Sequence, residues 1–202
     1  VADNVSSPPD EPTEVRLLDA AFELFLTQGY HGTSMRQVAG RAGITPGTIY
    51  NHFDSKEALF VALLSERVPH RAIIGALSHA EGDTVEAIIQ DSLVRMVDAA
   101  ADQFDNFRLM FIELIEFQAR HAGTIGQLFL PQLMAFIERL KKADGRLRPM
   151  RPVLLARAFF GLFFSYVLTA ALLRDVAGFD VSQEDVTQLG EIFLFGVLEE
   201  GA

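Results

Sequence analysis

The chain has 202 residues and a formal net charge of -10, half of its residues are hydrophobic, and it contains no cysteine. That is enough apolar material for one large domain, or a small domain joined to a medium one. Disulfides, thiolate catalysis and cysteine-ligated zinc are excluded, a reducing cytoplasmic setting is expected, and the acidic balance allows phosphate binding only through a locally cationic patch.

The first twelve residues are polar and proline-rich and predict a disordered N-terminal arm rather than a secretory leader. Val15, Leu18, Phe22 and Phe25 then recur at helical spacing, and Gly29 is the expected stop. Ser34 with Gln37 forms a capping-box pattern that opens a short second helix, ended by Gly43. Thr45 followed by Pro46 reads as an N-cap and first residue of a third helix. Asp54 with Glu57 reads as the box that opens a fourth, running through Leu59 and Leu63 to about Pro69.

Beyond residue 80 the helices become more apolar. Asp83 and Glu86 are read as the start of one carrying Val85, Ile88, Ile89, Met96 and Val97. Phe104, Phe107, Phe111, Leu114 and Gln118 form the stripe of the next, and Leu128 to Leu140 supplies another, with a kink or restart expected at Pro131. Pro152 opens a very apolar segment. Its uncharged part, Ala158 to Leu173, makes roughly 24 Å of helix, short of a hydrocarbon core of roughly 30 Å. A buried or interface helix is therefore expected, and no membrane. Ser182 and Asp185 open a last helix with Val186, Leu189, Phe193 and Val197 on one face. No period-2 run and no internal repeat interrupts this pattern. The expected fold is all-α with about nine helices: a three-helix helix-turn-helix domain over residues 13–60, then a larger helical domain over 61–202.

The stretch from Thr33 to Leu59 carries the chemistry. Two short helices joined at a glycine form a helix-turn-helix arrangement, and the second must enter a major groove about 12 Å wide. Small leading residues let backbone approach phosphate, and Pro46, Gly47 and Thr48 meet that demand. Val38, Ala39, Ala42, Ile44 and Ile49 can hold the two helices together. Helix starts near Ser34, Thr45 and Asp54 offer N–H groups and positive dipole ends to anions. Arg36, Arg41, His52 and Lys56 face only Asp54 and Glu57 as local opposition. Each residue alone also has a plain structural reading as a cap, a core aromatic or a solvated cation; their coincidence points to DNA.

Residues Ala20 to Leu64, AAFELFLTQGYHGTSMRQVAGRAGITPGTIYNHFDSKEALFVALL, closely resemble the DNA-binding domain of the tetracycline-repressor (TetR) family. The resemblance implies a homodimer that sets two recognition helices in successive major grooves of a palindromic double-stranded operator. It implies that Thr33 and Arg36 contact phosphate, that Thr45, Gly47 and Thr48 lie at the recognition-helix entry with Thr48 facing a base, that Tyr50, Asn51 and His52 touch backbone or base edges, and that Lys56 holds a phosphate. Pro46, where many relatives carry other residues, leaves the base code open.

The same resemblance implies a chamber for a small-molecule effector between the middle helices. Phe104, Phe107, Phe111, Phe117, Phe129, Phe136 and Tyr166 are candidate walls, and Gln118 and His121, with the Tyr166 hydroxyl, candidate polar groups; a phenylalanine stripe at this spacing is more often a core. The dyad is expected on the last two helices, through Phe160, Phe164, Leu168, Phe193 and Val197, with Gly161 and Gly190 permitting close approach. No cofactor, metal site or catalytic set is expected: the five histidines are scattered, and no glycine-rich phosphate loop occurs. Alternatives are an activator of the same fold, or a helical adaptor whose motif no longer binds DNA.

Overall fold

The computed structural model describes residues 12–67, 70–101, 103–145, 147–173 and 182–198. In chain order these form α1 (Thr13–Gly32), α2 (Met35–Arg41), a single 3-10 turn (Thr48–Asn51), α3 (Lys56–Arg67), α4 (His70–Ser78), α5 (Val85–Ala101), α6 (Phe104–Glu116), α7 (Ala122–Lys142), α8 (Pro152–Leu172) and α9 (Gln183–Val197). Among the described residues the fold is all-α, with two isolated bridges, Thr84 with Asp144 and Leu147 with Leu198, outside the helices. The arm expected over residues 1–12 falls, up to residue 11, outside the described residues.

Local chemistry sets most boundaries. α1 breaks at Gly29, which takes φ +74°, a left-handed value that suits a residue without Cβ. Ser34 and Gln37 make the reciprocal capping box: the Gln37 N–H donates to Ser34 Oγ at 3.3 Å and the Ser34 N–H to Gln37 Oε1 at 2.8 Å. Gly43 ends the α2 region at φ +67°, and the Arg16 guanidinium from α1 donates to the Ala42 carbonyl there. Ser182 caps α9 through the Asp185 N–H at 3.0 Å.

Four expectations are corrected. The third helix is one 3-10 turn, not a helix from Pro46. The cap before α3 is Ser55, whose Oγ accepts the Ala58 N–H at 3.0 Å, rather than Asp54. Thr84, not Asp83, accepts the Ala87 N–H ahead of α5 at 3.1 Å. α7 runs through Pro131 without a restart; that residue is exposed, so water can take the carbonyl left without its helical donor.

The chain divides into two compact units, residues 1–68 with 105–123, and 69–104 with 124–202. The boundary expected at residue 60 falls inside α3, and most of α6 belongs with the N-terminal helices. The reason is packing: Leu109 and Phe117 sit in the same buried cluster as Leu17, Phe25, Val38, Ile49, Phe60 and Leu63. In the second unit, α4, α8 and α9 pack on α5. Gly190 brings α9 close to α5, since a Cβ there would lie 2.5 Å from Gln90, whereas Gly161 faces open space. α8 is long and apolar enough to cross a membrane by length and composition, with 28% of its most apolar stretch buried. Its Leu155, Phe159 and Phe163 face the core of this unit.

Candidate nucleic-acid interface

α2, the Gly43 turn and the 3-10 turn form a rigid wedge. Its inner side is Val38, Ala39, Ala42 and Ile49, all buried. Its outer side is an exposed run of Ser34, Arg36, Thr45, Pro46, Gly47, Tyr50, Asn51 and His52, with Thr48 half-buried. The side chain of Tyr50 is 55% exposed on this side. At Gly47 a Cβ would meet only Thr45 Oγ1 at 4.0 Å, so bare backbone faces outward. The Thr45 and Thr48 hydroxyls bond to each other at 2.8 Å, and the Thr48 N–H reaches Thr45 Oγ1 at 3.3 Å. These two threonines are fixed as a pair at the mouth of the turn.

The cations divide. Arg36 is exposed and makes no ion pair among the described residues. Arg41 instead pairs with Glu23 of α1, its Nε donating at 2.8 Å. Lys56 turns inward: its ammonium donates to the Tyr30 and Thr33 carbonyls at 2.7 Å each and lies 4.2 Å from the centre of the Tyr30 ring. Burial pulls the Lys56 pKa down, opposed by the nearby Glu116 carboxylate. Thr33 is 2% exposed. Its hydroxyl donates to the Gly29 carbonyl at 2.9 Å, its N–H to Tyr30 and its carbonyl accepts from Lys56, so its polar groups are taken inside the joint between α1 and α2. The structure thus places Thr33 and Lys56 in the joint beneath the exposed face.

α6 and the turn after it hold that joint from behind. Glu116 accepts the Tyr30 and His31 N–H groups, both at 3.3 Å, just past the break in α1. The Phe117 ring stacks on Phe60 at 4.7 Å and stands edge-on to Tyr30 at 4.5 Å. His121 lies between Glu113 and Glu57. The sequence reads Glu57 only as a helix-start acid, and the partners that Glu57 and Glu116 find here lie 64 and 85–86 positions away.

The residues expected around an effector do not share one unit. Phe107, Phe111, Phe117, Gln118 and His121 belong to the first and Phe129, Phe136 and Tyr166 to the second; the Phe104 side chain lies outside the described residues. Phe107 and Phe117 are buried in the first unit, Phe111 is half-buried there, and Gln118 is exposed in a left-handed turn at φ +54°. Phe129 packs edge-on to Phe160 at 4.9 Å. Phe136 lines a cavity of about 10 Å3 together with Ile89, Leu133, Leu140, Phe159 and Phe193. That is at most the space of one water. The Tyr166 hydroxyl accepts the Ser182 N–H at 3.2 Å, fixing the entry to α9.

Of the residues expected at the dyad, Phe193 and Val197 are buried inside the second unit, Phe193 against Phe159 at 5.4 Å. Phe160, Phe164 and Leu168 are half-buried. The exposed apolar side chains of α8 and α9 are instead Val153, Leu154, Leu172, Ile192 and Phe195, the last 86% exposed. Helical spacing alone could not separate the core stripe from the outer one on helices apolar all round.

A helix-turn-helix wedge on a three-helix scaffold, with a second all-helical unit, defines the class. Residues 17–63 match the family described as bacterial regulatory proteins, tetR family. Over 105 residues the chain is 33% identical to the HTH-type transcriptional regulator UidR of Escherichia coli (strain K12), an alignment covering 52% of this chain and 51% of that protein. The chain thus spans about half the length of this relative. It is 27% identical over 169 residues to the uncharacterized HTH-type transcriptional regulator YvkB of Bacillus subtilis (strain 168), covering 81% of this chain and 86% of that one. The solved structure of the fatty acid degradation regulator FadR from Bacillus halodurans shares the fold, with a TM-score of 0.73 at 20% identity over 93% of this chain and 97% of that one. The tetR-family match is thus carried by residues 17–63, and the fold of the whole chain is the one its structural relative has.

Proposed function

We propose that this chain is a cytoplasmic DNA-binding transcriptional regulator, a homodimer that represses from a palindromic operator and is released by a small apolar or amphipathic effector. The observation that carries this reading is the wedge itself. A short, stiff element presents Arg36, Thr45, Gly47, Thr48, Tyr50, Asn51 and His52 outward over a fully packed base. Those residues supply a cation, hydroxyls, an amide and an aromatic tip, the groups that meet phosphate and base edges.

A palindrome needs two copies of the wedge, at about 34–36 Å for successive major grooves. The exposed apolar side chains on α8 and α9 supply surface for a second copy to cover. The naming of one fold relative as a fatty acid degradation regulator supports an effector with an apolar body.

The test is selection of duplexes from a random pool by the purified chain, followed by footprinting of the winners. A two-fold footprint is the expected result. Absence of any sequence preference in dilute buffer overturns DNA regulation and favours the adaptor. A footprint that persists while transcription rises on binding favours an activator.

A further inference from the structure

The turn after α6 holds a histidine in a position that DNA contact does not explain. Gln118 and Ala119 both take left-handed φ, +54° and +59°. The Ala119 N–H returns to the Glu113 carbonyl and the Arg120 N–H to that of Phe117, each at 3.1 Å. This reversal folds His121 back onto α6, edge-on to Phe117 at 5.0 Å. Its Nδ1 lies 2.9 Å from Glu113 Oε2 and its Nε2 3.1 Å from Glu57 Oε1. The His121 backbone N–H donates to the other Glu113 oxygen at 2.6 Å.

A neutral imidazole carries one ring N–H, and only the imidazolium carries two. With a carboxylate oxygen on each ring nitrogen, only the charged ring gives both a donor. The neutral ring would aim a lone pair at one of the two acids. Glu113 is 4% exposed and has no water to turn to, whereas the Glu57 side chain is nearly half exposed. Loss of the proton therefore costs the Glu57 bond, and the remaining N–H stays on Nδ1 toward Glu113.

We propose that His121 is a proton-operated latch between α6 and α3: charged, it closes across Glu113 and Glu57, and neutral, it releases Glu57. The groups facing it are Glu113 on α6, Glu57 on α3, and Arg120 on its own turn, whose guanidinium shares the same Glu57 oxygen at 3.3 Å. Burial pulls the imidazole pKa down, and the hydrogen bonds and charges of Glu113 and Glu57 outweigh it, so that the pKa is raised. The latch is accordingly shut in mild acid and opens as pH rises. Its release reaches the base of the wedge, because Glu57 follows Lys56, which holds the Tyr30 and Thr33 carbonyls.

The experiment is an NMR titration of the full chain with labelled histidine, His121 being assigned from His121→Gln, with backbone amides followed in parallel. The expected result is a His121 midpoint above the ordinary histidine value of 6.5, with the Glu57, Ala58 and Thr33 amides moving at the same midpoint. In His121→Gln those amides should stand still through that range. Glu57→Gln should lower the His121 midpoint, which keeps the test decisive if His121→Gln fails to fold. A midpoint at or below the ordinary histidine value, or α3 amides that ignore the titration, overturns the latch. None of these readouts involves DNA, so failure of the regulatory reading leaves the result intact.

Discussion

Lys56→Met keeps most of the stem and removes the ammonium, and it separates two roles for this side chain. The structure gives Lys56 two carbonyl partners at 2.7 Å and a position 4.2 Å from the Tyr30 ring centre. A hydrogen bond involving a charged group is worth about 1.5–3 kcal/mol net, and a partly exposed cation–π contact about 0.5–1 kcal/mol. Because Lys56 is half-buried and its carbonyl partners can regain some water, the destabilisation should fall near 2–4 kcal/mol. Urea unfolding followed by the near-ultraviolet signal of Tyr30 and Tyr50 reads it, with amide exchange at Thr33 as a local reporter. The salt dependence of duplex binding gives the second axis. If Lys56 neutralises one phosphate per subunit of the proposed homodimer, its removal flattens the slope of log K against log salt by about 1.8, about 0.9 per copy, whereas removing a purely internal lysine leaves the slope unchanged. A destabilisation under about 0.5 kcal/mol, together with a flattened slope, would refute the joint and restore the phosphate role.

Thr48→Ala should alter base preference more than affinity for random duplex; uniform weakening would assign the Thr45–Thr48 pair to backbone positioning. Phe195→Glu should leave folding within about 0.5 kcal/mol, since surface changes away from special features cost little, yet shift sedimentation from dimer to monomer; an unchanged dimer would move the dyad elsewhere. His121→Gln should lose stability in a pH-dependent way. A raised folded pKa stabilises fully below the unfolded value of 6.5 and loses that stabilisation as pH climbs through the folded value, so the gap between the two proteins should be widest in mild acid and narrow in alkali; a constant gap across pH would refute it. Bound as the proposed homodimer, the wild-type chain should show a shallow salt slope near −2, about 0.9 for each Arg36; a slope of about −5 or steeper would mean that Arg41 and Lys56 leave their internal partners on binding.

What the sequence made legible was whatever a residue does with a neighbour three or four positions away. The Ser34–Gln37 box, the Ser182 cap and the breaks at Gly29 and Gly43 are of this kind, and each depends on one local bond or one φ value. Asp54 and Ser55 are adjacent potential caps, and composition cannot choose between them; geometry chose Ser55. The joint was invisible for a different reason. Lys56 reaches carbonyls 23 and 26 positions back, and His121 reaches a carboxylate 64 positions back. Phe117 illustrates the limit of periodicity. A phenylalanine stripe announces a buried face, but not which helices bury it, and here the face belongs to the N-terminal unit rather than to a chamber.

The charge logic also changes once partners are known. Read as a string, residues 33–59 carry Arg36, Arg41, Lys56 and His52 against few acids, and so look like a cationic patch on an acidic chain. In the fold, Glu23 takes Arg41 and two carbonyls take Lys56, which leaves Arg36 and His52 facing outward. Counting cations therefore overstates the electrostatic pull of this face. An acidic protein with so few outward cations gains little from long-range attraction, and must rely on short-range donors held in place before contact. The bonded Thr45–Thr48 pair, the open backbone at Gly47 and the unpacked Tyr50 tip are such groups. Rigidity then matters more than charge, because a hydroxyl or amide off by an ångström forfeits its bond while a cation does not. This is why the interior of the first unit commits a lysine, an arginine and three glutamates to fastening α1, α2, α3 and α6 to one another instead of offering more positive charge to solvent.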